Sequence, residues 1–465
     1  MKTKIRIFLL TLIAATAAGQ ELLTLDHAID IALEQNQNLR AARFDVESSR
    51  WGTKNAYSNF LPKIEISGGV TRIDPETERR ANATLDFIRE TAGIFGIPPS
   101  LLSEIKPFAY RDTYVSEITV LQPLYNGGAE LVGVSAANAT SERSEFSLQD
   151  TEQDVIVRVK TSYYDVLKAQ ALVIVAKESA ERTRRNLEVI SRRAAVGTRT
   201  QTDVLRWEVQ LAADEGGIIN VENLLAAARL KLNEVLGVDL HKVYTLEKVV
   251  PPDSVFSTGQ GTALLSREPL AGAAPEYYVM NAAFLETHPG MRMMEANLRL
   301  AEVNIDRSWV NFKPRVNLAF QYGWERNNTL GLDGIKPWAL ALSVSLPVFN
   351  GFGDYTNLER AHADYNRTEV QVESFRRMLL LQATSAELNV NAARKRIEIA
   401  RKGQQQALEV LNSVSRRYET GGASNVDLID VQTAYTSAKT SLITAMYDYY
   451  TAQLQLARAT GKVSR

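Results

Sequence analysis

Asp427 and Asp430 are the sharpest chemical pattern in this chain: two carboxylates three residues apart, on one face of any helix that holds them. Gathered at the mouth of a pore, such groups repel one another and favour bound cations or an open state. They follow Arg417, Tyr418 and Gly421, and glycine is the residue that tolerates the positive φ of a helix C-cap. Ser424 or Asn425 can cap the helix that comes next. The same layout stands earlier in the chain, where Arg193, Gly197 and Asp203 are joined by Thr200 or Thr202 as the cap. Both stretches read as tips of αα-hairpins, and the helix dipole by itself also favours a carboxylate in a first turn. Arg192, Arg193, Arg416 and Arg417 suit a solvated surface, but their recurrence beside the tip glycine points to docking of a partner.

Little else in the sequence could do chemistry. Across 465 residues, 53 Lys and Arg stand against 54 Asp and Glu, so the net charge of −1 gives a polyanion nothing to bind and nucleic acid is not an expected partner. There is no Cys, which removes disulfides, thiolate metal sites and cysteine nucleophiles together. His27, His241, His288 and His362 are scattered, which gives no expectation of zinc chemistry, and there is no Ser/His/Asp arrangement or phosphate loop. The sequence therefore predicts no enzyme, no catalytic residue, no cofactor and no metal site.

The elements that must position the hairpins are written twice. Residues 1–19 carry the basic start, short apolar run and small residues of a secretory signal peptide. Beyond it no stretch reaches about 18 apolar residues, so no internal transmembrane helix is expected. An offset of 224 aligns Gln122-Pro123-Leu124-Tyr125-Asn126-Gly127 with Leu346-Pro347-Val348-Phe349-Asn350-Gly351, then holds through Gly197/Gly421, Asp203/Asp427 and Gly237/Gly461. Upstream the offset is 252, so the first copy holds an insertion, for which residues 75–111 are the natural candidate. The copies span residues 20–237 and 277–461, with a Pro-rich linker, or equatorial region, at 238–276.

Each copy reads helix, strand, strand, long helix, long helix. A seam spaced alternately four and three runs Val155, Val159, Ser162, Val166, Ala169, Val173, Ala176, Ala180, Thr183, Leu187, Ile190, Ala194, and recurs 224 residues later from Leu379 to Tyr418. That register predicts coiled-coil packing along helices of about 100 Å. The strands, at about 63–72, 113–122, 314–325 and 337–346, alternate apolar with polar or small residues, as transmembrane barrel strands do and as half-buried strands of a soluble sandwich also do. The signal peptide and the long helices favour the barrel. Four strands cannot close one, and an open edge in lipid leaves backbone groups unpaired at several kcal/mol each. The sequence therefore demands several copies around one barrel.

With the Pro-Leu-Tyr-Asn-Gly-Gly and Pro-Val-Phe-Asn-Gly-Phe turns, the paired Arg-x-x-x-Gly hairpins and the Asp-aliphatic-aliphatic segments after them, the chain resembles the TolC family of outer-membrane efflux and export channels over nearly its whole mature length. The resemblance implies a mainly α protein with transmembrane β: a homotrimer whose 3 × 4 = 12 strands form one outer-membrane β-barrel, continued by a long periplasmic α-helical barrel. It implies a passive exit duct in the outer membrane of a Gram-negative-type bacterium, in contact with outer-membrane lipid. The duct would dock through a periplasmic adaptor (membrane fusion) protein onto an inner-membrane transporter in a tripartite efflux pump. The outer-membrane channel of a type I protein secretion system is the alternative within the family; a secreted structural coiled-coil protein is the rival outside it. In a threefold assembly Asp427 and Asp430 would form two carboxylate rings, the family's constriction at the periplasmic entrance. Tyr418 and Asp203 match two members of the network that holds that entrance closed. The family's arginine position holds Ala423, and Arg199 is its repeat-mate. Arg193, Gly197, Arg417 and Gly421 would form the tips that dock the adaptor.

Overall fold

The computed structural model describes residues 22–103, 105–247, 282–327 and 336–464. The expected signal peptide, residues 1–19, and most of the expected linker at 238–276 lie outside these residues. In chain order the first repeat holds β1 (Leu22–Leu23), α1 (Leu25–Gln35), α2 (Gln37–Ser58), β2 (Lys63–Arg72), α3 (Pro75–Thr91), α4 (Pro99–Ser103), β3 (Asp112–Asn126), α5 (Ala129–Ala195) and α6 (Gln201–Leu236). After β4 (Thr245–Leu246), the second repeat holds α7 (Pro289–Trp309), β5 (Arg315–Asn327), β6 (Trp338–Ser345), α8 (Gly353–Glu419) and α9 (Asn425–Ala459). Helix-strand-strand-long helix-long helix is thus traced twice, and α3 and α4 occupy the insertion of the first copy. No described helix is long and apolar enough to cross a membrane.

The chain divides into two compact units. One is built from residues 22–45, 145–293 and 373–464 and contains the hairpins. Its packing follows the four-three seam. Val155, Val159, Ser162, Val166, Ala169, Val173, Ala180, Thr183 and Ile190 are buried along α5, as are Leu379, Ala383, Ala386, Val390, Ala393, Ile397, Leu411 and Tyr418 along α8. Small residues at so many of these positions let neighbouring helices approach closely, while Leu23, Ile29, Tyr163, Leu232, Leu236 and Leu246 build a larger core around the β1–β4 pair. At the other end of α6, Asn36 breaks α1 from α2: its Oδ1 accepts from the backbone of Asn38 and Leu39, and its Nδ2 donates to Val235 O at 2.8 Å. The Tyr163 hydroxyl donates to Leu23 O and Glu247 O at 2.9 and 3.0 Å, which fastens α5 to the parallel β1–β4 pair. Burial pushes that phenol up to about 12, so it donates at any physiological pH.

The other unit, residues 46–144 and 294–372, carries a four-stranded antiparallel sheet in the order β2-β3-β5-β6. Each repeat supplies one hairpin, and the β3–β5 ladder, from Thr113↔Asn327 to Asn126↔Arg315, joins them. β3 runs past Pro123 as far as Asn126, and the ladder shifts register between Pro123 and Tyr125. Proline has no N–H to give the ladder, so a bulge forms where it falls. One apolar face is bare, with Ile64, Ile66 and Val70 on β2 and Trp338, Leu340, Leu342 and Val344 on β6 all exposed. β2 and β6 each have a single partner strand among the described residues. The registers put the α3–α4 insertion at one end of the sheet and the helix connections at the other.

Two glycines on α6 and its cap separate conformational need from mere presence. Gly237 has φ +75°, and a Cβ there would stand 2.5 Å from Gln35 O. Gly216 lies within α6 with nothing within 4 Å of a Cβ. Gly216→Ala is expected to stabilise by about 0.5–1 kcal/mol and Gly237→Ala to destabilise by more than about 1 kcal/mol. Thermal unfolding midpoints of the two variants in detergent, read by circular dichroism, check the opposite signs.

Candidate functional site: the paired hairpin tips

The two tips share one backbone design. At the first, Gly197 N donates to Ala194 O at 3.0 Å and Thr198 N to Arg193 O at 2.9 Å. At the second, Gly421 N donates to Tyr418 O at 3.2 Å and Gly422 N to Arg417 O at 2.7 Å. Both central glycines are left-handed, with φ +75° and +85°, and this turn uses up carbonyls that the helix end would otherwise leave bare. Capping boxes then start α6 and α9. Asp203 N donates to Thr200 Oγ1 at 3.2 Å, and the Asp203 carboxylate accepts from Thr200 N and Oγ1 at 3.2 and 2.9 Å. Asp427 N donates to Ser424 Oγ at 3.1 Å, and its carboxylate accepts from Ser424 N and Oγ at 2.9 and 2.8 Å. Hydrogen bonds from Ser424 to the charged form, backed by Arg417, hold the Asp427 carboxyl below its ordinary value. Burial works to raise the Asp203 carboxyl, but the Thr200 hydrogen bonds, the Asn425 amide and the Arg199 charge outweigh it and hold this group low too.

The side chains between the tips are not alike. Trp207, Ile190, Val204, Leu411, Tyr418 and Leu428 form a small core, with Trp207 wholly buried. The Tyr418 hydroxyl donates to Asn425 Oδ1, the same oxygen that Trp207 Nε1 approaches at 3.4 Å. The Arg199 guanidinium lies 5.2 Å from the Tyr418 ring centroid, a cation–π distance. Burial pushes the Tyr418 phenol up, which keeps it a donor. Asn425 is buried beside the Asp203 carboxylate.

Of the residues singled out from sequence, the fold gathers Tyr418, Arg199 and Asp203 around Asn425, while Asp427 is engaged in its own cap. Asp430 is exposed and makes no hydrogen bond or ion pair among the described residues. Arg417 Nη2 donates to Gly422 O at 3.0 Å, inside its own turn, and Arg192 pairs with Glu188. Thr200 and Ser424, rather than Thr202 and Asn425, take the caps. Sequence reasoning missed Trp207 and the buried place of Asn425. A signal was present: at the offset of 224, Tyr418, Asn425 and Arg199 face Ala194, Gln201 and Ala423, and Trp207 faces Val431. Tyr418, Asn425, Arg199 and Trp207, which make the polar and aromatic contacts of the cluster, all stand where the copies disagree. Beside it, Thr202, Leu205, Arg206, Val209, Gln210, Val426 and Ile429 line an open, largely apolar groove of about 320 Å³.

Known proteins resemble this chain in sequence and in fold. The profile described as "Outer membrane efflux protein" matches residues 28–238 and 282–462. The "Alkaline protease secretion protein AprF" of Pseudomonas aeruginosa is 22% identical over 74% of this chain and 69% of its own length. The "Cobalt-zinc-cadmium resistance protein CzcC" of Cupriavidus metallidurans is 23% identical over 96% of this chain and 91% of its own. The crystal structure of the Campylobacter jejuni CmeC outer membrane channel superposes with a TM-score of 0.75 at 16% identity, covering 94% of this chain and 85% of that one.

Two outcomes follow from the tip geometry. A carboxyl whose folded pKa lies below the unfolded value of 3.8 stabilises the fold above that value and loses the contribution as pH falls through the lowered folded pKa. Hydrogen-exchange protection of the tip amides, corrected for intrinsic rates, is therefore expected to hold from neutral pH down to about 4 and to fall only below it. Asp203→Asn and Asp427→Asn should flatten that acid limb. Separately, Tyr418→Phe removes the donor to buried Asn425 and should cost about 1–3 kcal/mol, read as faster exchange confined to the tips.

Proposed function

The chain belongs to the outer membrane efflux protein family, and from that premise we propose that three copies form the exit duct of a tripartite efflux pump, with the hairpin tips as its periplasmic gate. The protein is an outer-membrane channel that conducts passively, and its family is one of ducts rather than of enzymes. The observation that carries the trimer is the four-stranded sheet with a bare apolar face and two strands, β2 and β6, that each lack a second partner among the described residues. Hydrocarbon offers such edges no hydrogen bonds, and three copies supply 3 × 4 = 12 strands for a closed barrel. Exposed Trp309, Phe349 and Phe352 fall at the helix end of the strands, where an aromatic belt would meet the membrane boundary and its lipid. In this reading residues 1–19 are removed on export, 20–237 and 277–461 are the two halves of each protomer, and 238–276 belongs to the equator.

A threefold axis would turn Asp427 and Asp430 into carboxylate rings at the periplasmic entrance. Asp427 has an acidic repeat-mate, Asp203, and both are spent on caps. The repeat-mate of Asp430 is Arg206, and its carboxylate is unengaged, so selectivity rests on Asp430. The Tyr418–Asn425–Trp207 cluster, with Arg199 across the ring, holds the two tips of one chain together in the closed state. A periplasmic adaptor would reach the tips near Arg193, Gly197, Arg417 and Gly421 and link them to the inner-membrane transporter that supplies the energy.

In planar bilayers Asp430→Ala is expected to abolish cation selectivity with the tip fold intact. Asp427→Ala is expected to act through the cap, raising the open probability more than it alters selectivity. Equal selectivity in wild type and Asp430→Ala would remove Asp430 from the gate. The second reading, the channel of a type I secretion system, is favoured by the likeness to a protein named for protease secretion. Deletion of the gene separates the two: hypersensitivity to drugs or metals supports efflux, and loss of a protein from the culture medium supports secretion.

A further inference from the structure

The insertion between β2 and β3 is folded, not slack. Asp74 caps α3 by accepting from Glu76 N and Thr77 N, both at 3.0 Å. Asn82 then staples the helix to the returning chain: its Nδ2 donates to Ala109 O at 2.7 Å, while its Oδ1 accepts from Phe108 N and Ala109 N at 2.8 and 3.1 Å. Leu85 and Ala92 are buried beneath, and Arg89 donates to Ile105 O at 3.1 Å. Arg72 and Asp112 pair across the neck at 2.6 Å. With so much of the segment held in place, Ile94 is nevertheless 80% exposed, Phe95 75% and Leu101 57%. From Thr91 to Ser103 the sequence holds no charged residue, whereas α3 is studded with Glu76, Glu78, Arg79, Arg80, Asp86, Arg89 and Glu90. A charged stem thus presents an uncharged apolar tip at the end of the sheet away from the long helices.

We propose that this tip, Ile94 to Leu102, is a self-contact surface, and that three tips meet over the outer mouth of the barrel and close it; the inference rests on the trimeric reading above. Two observations choose a second copy as the occupant. The insertion springs from β2, an edge strand, so it stands at the seam where the next copy must pair. Between Arg89 and Lys106 there is no cation, so a phosphate-bearing lipid surface finds nothing to bind, while uncharged tips meet at an axis without repulsion.

The chain has no Cys, so a single Phe95→Cys substitution gives one thiol per copy. The full-length variant, purified in detergent and sized by light scattering, is treated with a short bis-maleimide beside Arg80→Cys on the stem. A trimer that yields cross-linked dimers at position 95 and not at position 80 supports the proposal. A trimer with no cross-link at 95 overturns it and leaves the trimeric duct standing, and a monomer overturns both. A dye on the thiol of the Phe95→Cys variant that shifts to the blue only in lipopolysaccharide vesicles, with no cross-link, assigns the tip to lipid and also overturns it. Closure is read separately: Phe95→Asp with Leu101→Asp should raise single-channel conductance several-fold in an intact trimer, and wild-type conductance would show that the tips do not shut the mouth.

Discussion

A β-strand in hydrocarbon has nowhere to put an unpaired N–H or C=O except on another strand. That constraint organises this chain. One repeat makes one hairpin, and the β3–β5 ladder across the repeats turns two hairpins into a sheet of four strands with a single apolar face. The duplication thereby halves the number of copies that a closed barrel needs. The two outer strands have no second partner among the described residues, and the proposed assembly is the one that would supply it. The exposed edges and the assembly proposed to cover them follow from the same unpaired backbone groups.

The helices answer a different requirement, length without bulk. Alternating four-three spacing keeps one stripe of α5 and of α8 facing inward over some forty residues, and small side chains on that stripe allow close approach. A stripe of large residues would force the helices apart. Individual positions contribute little, and the interface is strong through repetition. The long helices end in the same way at both tips, with a left-handed glycine and then a capping box, so the termini need no outside partner for their backbone groups.

The two copies stop being copies where the tips meet. Backbone chemistry at the tips is the same twice over, whereas Tyr418, Asn425, Arg199 and Trp207 each have a dissimilar repeat-mate. Two equal tips would pack with equal side chains on both sides. Here one side brings the phenol and the amide, and the other brings the indole and the guanidinium, so they fit as unlike halves. The insertion is a second departure from the duplication, since only the first copy carries it.

The sequence by itself determined everything that a local rule governs. The periods of two and of three and a half placed the strands and the seam, the glycines placed the tips, and the offset of 224 revealed the duplication. The resemblance to the TolC family, not a local rule, pointed to Tyr418, Asp203 and Arg199, and it did not point to the residue that Tyr418 meets. Ser424 and Asn425 were equal candidates for one cap, as were Thr200 and Thr202 for the other, because each can reach an N–H a few residues ahead. Tertiary structure broke that tie. Ser424 took the cap, and Asn425 turned into the core to meet Tyr418 and, 218 residues away in sequence, Trp207. That a cap falls at this turn is decided over three or four residues of backbone and can be read from them, but which of two neighbouring candidates takes it cannot. A buried amide is decided by which distant groups can satisfy it, and only the folded chain brings those groups within reach.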